Sequence, residues 1–398
     1  MTVLPLGRLS VARTRVAVPR LDWVLLGAAA AILLIGTLLV WSATATNDTL
    51  TAGQPTAYLH KHLVNMMIGL VLASAVMATD HRWVRIVTPL VYVASVVGLL
   101  LVLVMGSTIN GSRSWLIIGG LSIQPAEFAK LAVVIGMAMI IAERTESSRR
   151  RRVGRVDVAL MGVAAGIPAL LILLQPDLGT MLVLSATVFG VLAVAGVPRR
   201  WLIGLALAGL SVAVLAVSAG LVKQYQLNRL GAFMDPALDP RGAGYNTTQA
   251  RIAIGNGGLF GQGLFDGSQT RSRFVPEQHT DFIFTVAGEE LGLVGAGVLI
   301  LLFALLLWRA LHISRNADDM FGRVAAAGIA CWFAFQTFQN IGMCLGIMPV
   351  TGVPLPLVSY GGSSMFASMT AVGLLQNIAM RGSVSSRVTS RPIGPRSR

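Results

Sequence analysis

RFVPEQHTDFIFTVAGEELGLVG, residues 273–295, begins as a charged segment and ends as an apolar one. Arg273, Glu277, His279 and Asp281 crowd its start, and the apolar run that follows continues to Trp308. The join reads as a loop entering a membrane helix from the water side. A carboxylate there is costly to keep without a partner or a task. Asp281 is therefore the leading candidate for chemistry. Its bland reading is a charge in the first turn of a helix, where the macrodipole favours a carboxylate.

The rest of the chain supports a membrane setting. Of 398 residues, 55% are hydrophobic and 12% are charged, against about 25% charged in a soluble domain. The mean hydropathy is +0.73. Several apolar runs reach the ~20 residues that cross a bilayer. The first, Trp23 to Val40, follows a basic tail and reads as an uncleaved span. Others are expected at 61–79, 84–105, 125–142, 157–174, 178–195, 201–222, 281–309, 321–347 and 360–380, which makes ten helices in an all-α integral membrane protein. The expected divisions are a basic N-tail (1–20), a polytopic membrane domain (21–382) and a Ser/Arg/Pro-rich disordered C-tail (383–398).

The net charge of +14 is spread in a way that reads as topology and argues against nucleic acid. Most Lys and Arg fall in the two tails and in 80–85, 143–156, 196–200 and 309–323, so these face the cytoplasm and both termini are cytoplasmic. The outer side then carries 106–124, 348–359 and the large loop 223–280 between helices 7 and 8. That loop's Tyr225, Phe233, Tyr245, Ile252, Ile254 and Phe260 argue for a folded cover on the membrane surface. Cys331 and Cys344 share one apolar segment, several helical turns apart, which is unsuited to a disulfide or a metal site.

Each motif has two readings. Glu127 and Lys130 lie three apart on one helix face, as a structural ion pair or as a cavity lining with Lys130 toward an anionic head group. Gly255, Gly257, Gly258, Gly261 and Gly263 match no phosphate-binding fingerprint and suit close backbone packing. The prolines of 349–356 and the small residues Ser359, Gly361 and Gly362 suit a stiff approach to a closely packed helix. Gln336, Gln339 and Asn340 share a face and read as interhelical glue. Glu289 and Glu290, two turns into the expected span, need partners.

Taken together, these stretches resemble the SEDS family, the RodA/FtsW polytopic proteins. The resemblance rests on Asp22-Trp23, Asn110-Gly111 with Trp115, Gln124 to Glu127 with Lys130, Gln175 to Thr180, the glycine cluster, Pro276 to Leu291, and Asn340 through Ser364. Phe274-Val275-Pro276 leans toward the RodA, or elongation, branch over the FtsW, or division, branch. Two departures stand out: Ala126 where the family often has Ser, and Ser114 where an Arg commonly precedes the Trp, with Arg113 one place earlier.

The resemblance implies a ten-helix peptidoglycan glycosyltransferase of the bacterial cytoplasmic membrane. It would polymerise lipid II with inversion, alongside a class B penicillin-binding transpeptidase and membrane lipid. Asp281 would be the general base. Glu127 and Lys130 would be the family's charged pair, and Trp115, Gln124 and His279 would join the substrate site. Arg113, Lys130, Arg251, Arg271 and Arg273 are the candidates for the leaving diphosphate, with or without a divalent cation such as Mg or Mn. Glu289, Glu290, Gly257, Gly258, Ser359, Gly361 and Gly362 would support the site. A lipid II flippase, using the same cavity without a base, and a pure scaffold for a penicillin-binding protein are the rivals from other classes.

Overall fold

The computed structural model describes residues 21–389, apart from 47–50, 52, 110–111, 119–120, 149–152, 221 and 241. The basic tail 1–20, the Arg149–Arg152 run, Asn110-Gly111 and the end of the C-tail lie outside the described residues. Among the described residues, seven helices are long and apolar enough to cross a membrane. They are α1 (Trp23–Ala45), α2 (Ala57–Ala78), α3 (His81–Met105), α4 (Pro125–Ser148), α5 (Arg155–Leu174), α7 (Arg199–Ser218) and α12 (Gly292–Arg315). The other expected spans fold as α6 (Leu178–Val194), α13 (Met320–Leu345) and α14 (Gly362–Thr389). α6 is shorter, and α13 dilutes its apolar residues with the buried amides Gln336, Gln339 and Asn340. α14 continues past Ser383, where composition placed the start of an unstructured tail.

Burial sorts these helices. In α4, 83% of the apolar window is enclosed, against none in α7. α4 therefore runs through the protein interior, while the apolar surface of α7 suits lipid. α13 is buried along nearly its whole length, between α12, α6 and α4. Ion pairs tie the helix ends together. Asp22 caps α1 through the Leu25 N–H and pairs with Arg309 near the end of α12. Asp80 caps α3 and pairs with Arg381 on α14 at 3.2 Å.

Two parts of the fold differ from expectation. Segment 106–124 holds a small antiparallel sheet, β1 (Ser107–Ile109), β2 (Ser112–Ile118) and β3 (Leu121–Ile123), in that order. The expected span 281–309 is broken. A short helix, α11 (Ile283–Glu290), ends at Leu291, and α12 restarts at Gly292 with φ +67°. Such a break orphans backbone groups on both sides. The glycine loop satisfies them: Gln262 and Gly263 donate to the carbonyls of Glu289 and Glu290 at 3.0 and 3.1 Å, and Gly258 and Leu259 accept from Leu293 and Val294 at 2.9 and 3.0 Å. A Cβ on Gly257 would fall 2.0 Å from the Gly288 carbonyl oxygen, so no side chain fits there. Close packing is thus what the glycine cluster does.

Between α7 and α11, residues 223–280 form α8 (Gln224–Met234), a 3-10 turn (Pro236–Leu238), α9 (Ala243–Asn256) and the short α10 (Ser268–Ser272).

Candidate functional site

Asp281 precedes α11 and is not within its first turn, because the chain makes a tight turn first. The amides of Thr280, Asp281 and Phe282 all converge on the Glu277 carbonyl, at 3.1 to 3.2 Å. Three consecutive carbonyls, those of residues 279–281, are each held by other segments. His279 O accepts from the Tyr360 N–H at 3.0 Å. Thr280 O accepts from Ser359 Oγ at 2.6 Å. Asp281 O accepts from Asn340 Nδ2 at 2.7 Å, and that amide also donates to Val353 O at 2.8 Å. The backbone is thereby fixed from α13 and from the 353–360 segment. Ser359, read in the sequence as a small residue for close packing, and Asn340, read as interhelical glue, are what fix the position of Asp281.

The Asp281 side chain is half-buried in a cavity of about 520 Å³, lined also by Tyr225, Arg229, Asp239, Asn246, Glu277 and Gly352. Among the described residues, no side chain hydrogen-bonds to the Asp281 carboxylate. Burial first, and then the charges of Glu277 and Asp177, raise its pKa to about 7; Arg229 opposes the shift. Gly352 closes the other side, where a Cβ would lie 3.2 Å from Asp281 Oδ2. Among the described residues, no three His, Cys, Asp or Glu side chains converge into a metal set.

Lys130 is fully buried and donates to Glu127 Oε1 and Gln336 Oε1, both at 2.7 Å. Its ammonium also lies 5.1 Å from the Trp332 ring centre. Gln336 is held in turn, accepting from Trp332 Nε1 and donating to Pro354 O. The structure thus brings Lys130 to Glu127, in the ion-pair arrangement, and not to the Asp281 cavity. Asp177 sits between the two sites. It caps α6 through Thr180 N and Oγ at 3.0 and 2.8 Å and accepts from Gln124 Nε2 at 3.3 Å. Burial raises its pKa, while the Thr180 bonds and Lys130 lower it.

The remaining candidates are dispersed. Arg113 donates to Gly106 O and Val104 O at 2.7 and 2.8 Å, capping the end of α3. Trp115 is half-buried on β2 opposite Ser107. Arg271 is exposed beside Asp266, and Arg273 donates to Thr46 O. None of these lines the Asp281 cavity. His279 is buried behind it, edge-on to Tyr58 at 5.3 Å, and burial lowers its pKa. Gly362 packs against Asn65. Glu290 accepts from Ser42 Oγ at 2.6 Å.

Glu289 accepts from Ser268 Oγ, Gln269 N, Thr270 N and Thr270 Oγ, at 2.7 to 3.2 Å. It anchors α10 to α11. Charge-assisted bonds of this kind are worth ~1.5–3 kcal/mol each. Glu289→Ala is expected to raise amide hydrogen exchange at 268–272 at least tenfold; unchanged exchange there would remove this anchor.

The profile of the cell cycle protein family FtsW/RodA/SpoVE matches residues 22–383. The chain belongs to the SEDS family. Relatives include the probable peptidoglycan glycosyltransferase FtsW of Aliivibrio salmonicida, 37% identical over 90% of this chain and 88% of that protein. The peptidoglycan glycosyltransferase MrdB of Escherichia coli K12 is 37% identical over 87% of this chain and 90% of its own length. Stage V sporulation protein E of Bacillus subtilis is 38% identical, over 87% and 94%. Among solved structures, a chain from a peptidoglycan synthase complex that coordinates polymerisation and crosslinking superposes with a TM-score of 0.76, at 34% identity, over 91% of this chain and 98% of that one. The rod shape determining protein RodA of Thermus thermophilus gives 0.66 at 32% identity, over 90% and 96%.

Within this SEDS protein, sequence reasoning gave Arg229 no role, read Tyr225 only as part of the loop's apolar cover, and met Asp177 only within the matching stretch Gln175 to Thr180. Tyr225 and Arg229 are four apart on α8, with the guanidinium 5.6 Å from the ring centre. That spacing puts both on one face, and Asn228 on the same face also lines the cavity. An amphipathic reading of 224–234 would have found them. Tyr225 Oη and Gln226 Nε2 both donate to Pro176 O, docking α8 on the turn that carries Asp177.

Proposed function

We propose that this membrane protein is a peptidoglycan glycosyltransferase that polymerises lipid II into β-1,4 glycan strands, with Asp281 as its general base. The observation that carries this reading is a carboxylate with no side-chain partner among the described residues, a pKa of about 7, and a backbone held at three consecutive carbonyls. Asp281 takes the proton from the acceptor 4-hydroxyl as that oxygen attacks the donor anomeric carbon. The bond to the phosphate oxygen breaks with inversion, and the prenyl diphosphate leaves. Arg229, facing the same cavity, neutralises the negative charge that develops on the diphosphate. Any divalent ion would be held by cavity carboxylates together with the diphosphate.

The wider assignment follows the same reading. Ten helices span the cytoplasmic membrane, with α6, α13 and α14 added to the seven apolar ones and both termini cytoplasmic. The Phe274-Val275-Pro276 sequence favours the elongation role over the septal one. The partner is a single-pass class B penicillin-binding transpeptidase.

The test is polymerisation of lipid II by the purified protein across pH. A base must be deprotonated to act, so kcat/KM should fall about tenfold per pH unit below an apparent pKa near 7 and level off above it. Absence of polymer, or a flat profile from pH 5.5 to 8.5, would sink the assignment.

A further inference from the structure

Glu277 stands four residues before Asp281, and its exposed side chain lines the same cavity. Its carbonyl gathers the amides of Thr280, Asp281 and Phe282, so the turn that carries the base is built on it. The backbone there is left-handed, with φ +50°. A residue with a Cβ is strained in that region, and glycine adopts it freely. Among the described residues nine glycines have a positive φ, Gly352 across the cavity among them. At residue 277 the chain instead keeps a carboxylate at a strained position. Strain of this kind collects where a side chain serves function.

The carboxylate is held toward the turn. Thr280 Oγ lies 3.2 Å from both Glu277 Oε2 and the Glu277 carbonyl oxygen. Among the described residues Glu277 pairs with no cation. Other groups face Asp281 from the elements around it: Tyr225 and Arg229 from α8, Asp239 ahead of α9, Asp177 at the start of α6 and Cys344 from α13. Arg251, on α9 against Gly346, does not line the cavity. His279 turns toward Tyr58 of α2 and Tyr360, and both His279 and Tyr58 also feel the Glu277 charge. Of the charges acting on Asp281, that of Glu277 is the strongest, and it opposes Arg229. A like charge beside a carboxylate makes it hold its proton more tightly. A base tuned toward working pH is the more effective one.

We propose that Glu277 is a positioning residue for the reaction: its carbonyl fixes the turn that carries Asp281, and its carboxylate, facing the same cavity, makes that neighbour a stronger base. This rests on the reading of Asp281 as the general base and adds to it what tunes that base.

The experiment records kcat/KM for lipid II polymerisation against pH in wild type, Glu277→Gln, Glu277→Gly and Glu277→Asp. Gln keeps the size and the strained backbone and removes the charge. Its inflection should fall at least about 0.5 pH unit below that of wild type. Its plateau should lose at most about tenfold, short of the ~10²–10⁴-fold that follows loss of a base. Gly removes charge and strain together, so it should share the Gln inflection while its Tm is no lower than that of wild type. Asp retains a carboxylate and should return the inflection to the wild-type value. A purely structural residue would give the opposite pattern, with activity and Tm falling together at every pH and the inflection unmoved.

An unmoved inflection in Glu277→Gln overturns the proposal, and so does an Asp variant that titrates like Gln. A plateau loss of about 10²-fold or more in Glu277→Gln overturns it too, because Glu277 would then be acting as a base itself. A readout without turnover keeps this separate from the glycosyltransferase reading. The Tm gap between each protein and its Asp281→Asn derivative follows the Asp281 proton, widening as pH rises and levelling off above the folded-state pKa. With Glu277→Gln it should level off at a lower pH, by the same shift. If wild type polymerises nothing, the glycosyltransferase reading fails, and the gap still reports whether Glu277 acts on Asp281. A gap that levels off at one pH in both proteins overturns the proposal.

Discussion

Asp281→Asn should reduce lipid II polymerisation by about 10²–10⁴-fold, the usual loss with one general base, while leaving the protein folded and inserted. Asn keeps the shape of the side chain, and the Asn340 bond is to the Asp281 backbone carbonyl, so the turn should persist. A second readout separates chemistry from folding. The folded-state pKa of Asp281 is about 7, raised from 3.8. Between those values the folded state binds the proton more tightly than the unfolded state, so this group makes stability fall as pH rises through that window. The Asn variant lacks this term. Its thermal stability should equal or exceed that of wild type at pH 8, and the gap should close toward pH 5. Full polymerisation by a well-folded Asn variant would remove Asp281 from the chemistry. Loss of both activity and stability would make it a structural residue.

The sequence made parts of this site readable because they are matters of local composition. A carboxylate at the edge of an apolar run is conspicuous, so Asp281 stood out. The Glu127–Lys130 spacing fixes a common helix face, and the structure has them 2.7 Å apart. What could not be read was three-dimensional convergence. Arg229 reaches the cavity only because α8 docks on Pro176 through Tyr225 and Gln226. Sequence position alone does not say what a basic side chain meets, and Arg113, Arg271 and Arg273 bind nearby carbonyls or Asp266. The broken span was hidden because residues 282–308 are apolar on both sides of the break, although Glu289 and Glu290 stand just before it. Only the pairing of the glycine loop with Glu289, Glu290, Leu293 and Val294 makes the break tolerable at Gly292.

Lys130→Met should be among the most destabilising single changes in the chain. Lys130 is fully buried, Glu127 is 1% exposed, and Glu127 Oε2 has no hydrogen-bond partner among the described residues. Removing the ammonium leaves a buried carboxylate without its cation, which typically costs about 3–5 kcal/mol. Gln336 also loses one of the two donors on its Oε1 and retains Trp332. The double variant Glu127→Leu/Lys130→Met removes both charges together, and such apolar replacements are often neutral or stabilising. Thermal unfolding in detergent should therefore rank the double variant well above the Lys130 single. Equal stability of the two would mean the pair is not coupled in the folded protein. The stable double variant then decides what the pair is for. If Lys130 serves only the fold, polymerisation should recover along with stability. If it acts on Asp177, whose pKa it lowers, or reaches the diphosphate during turnover, the double variant should be well folded and still inactive. We expect that second result, because Asp177 joins Gln124 and the Lys130 pair to the turn on which the Arg229 helix docks.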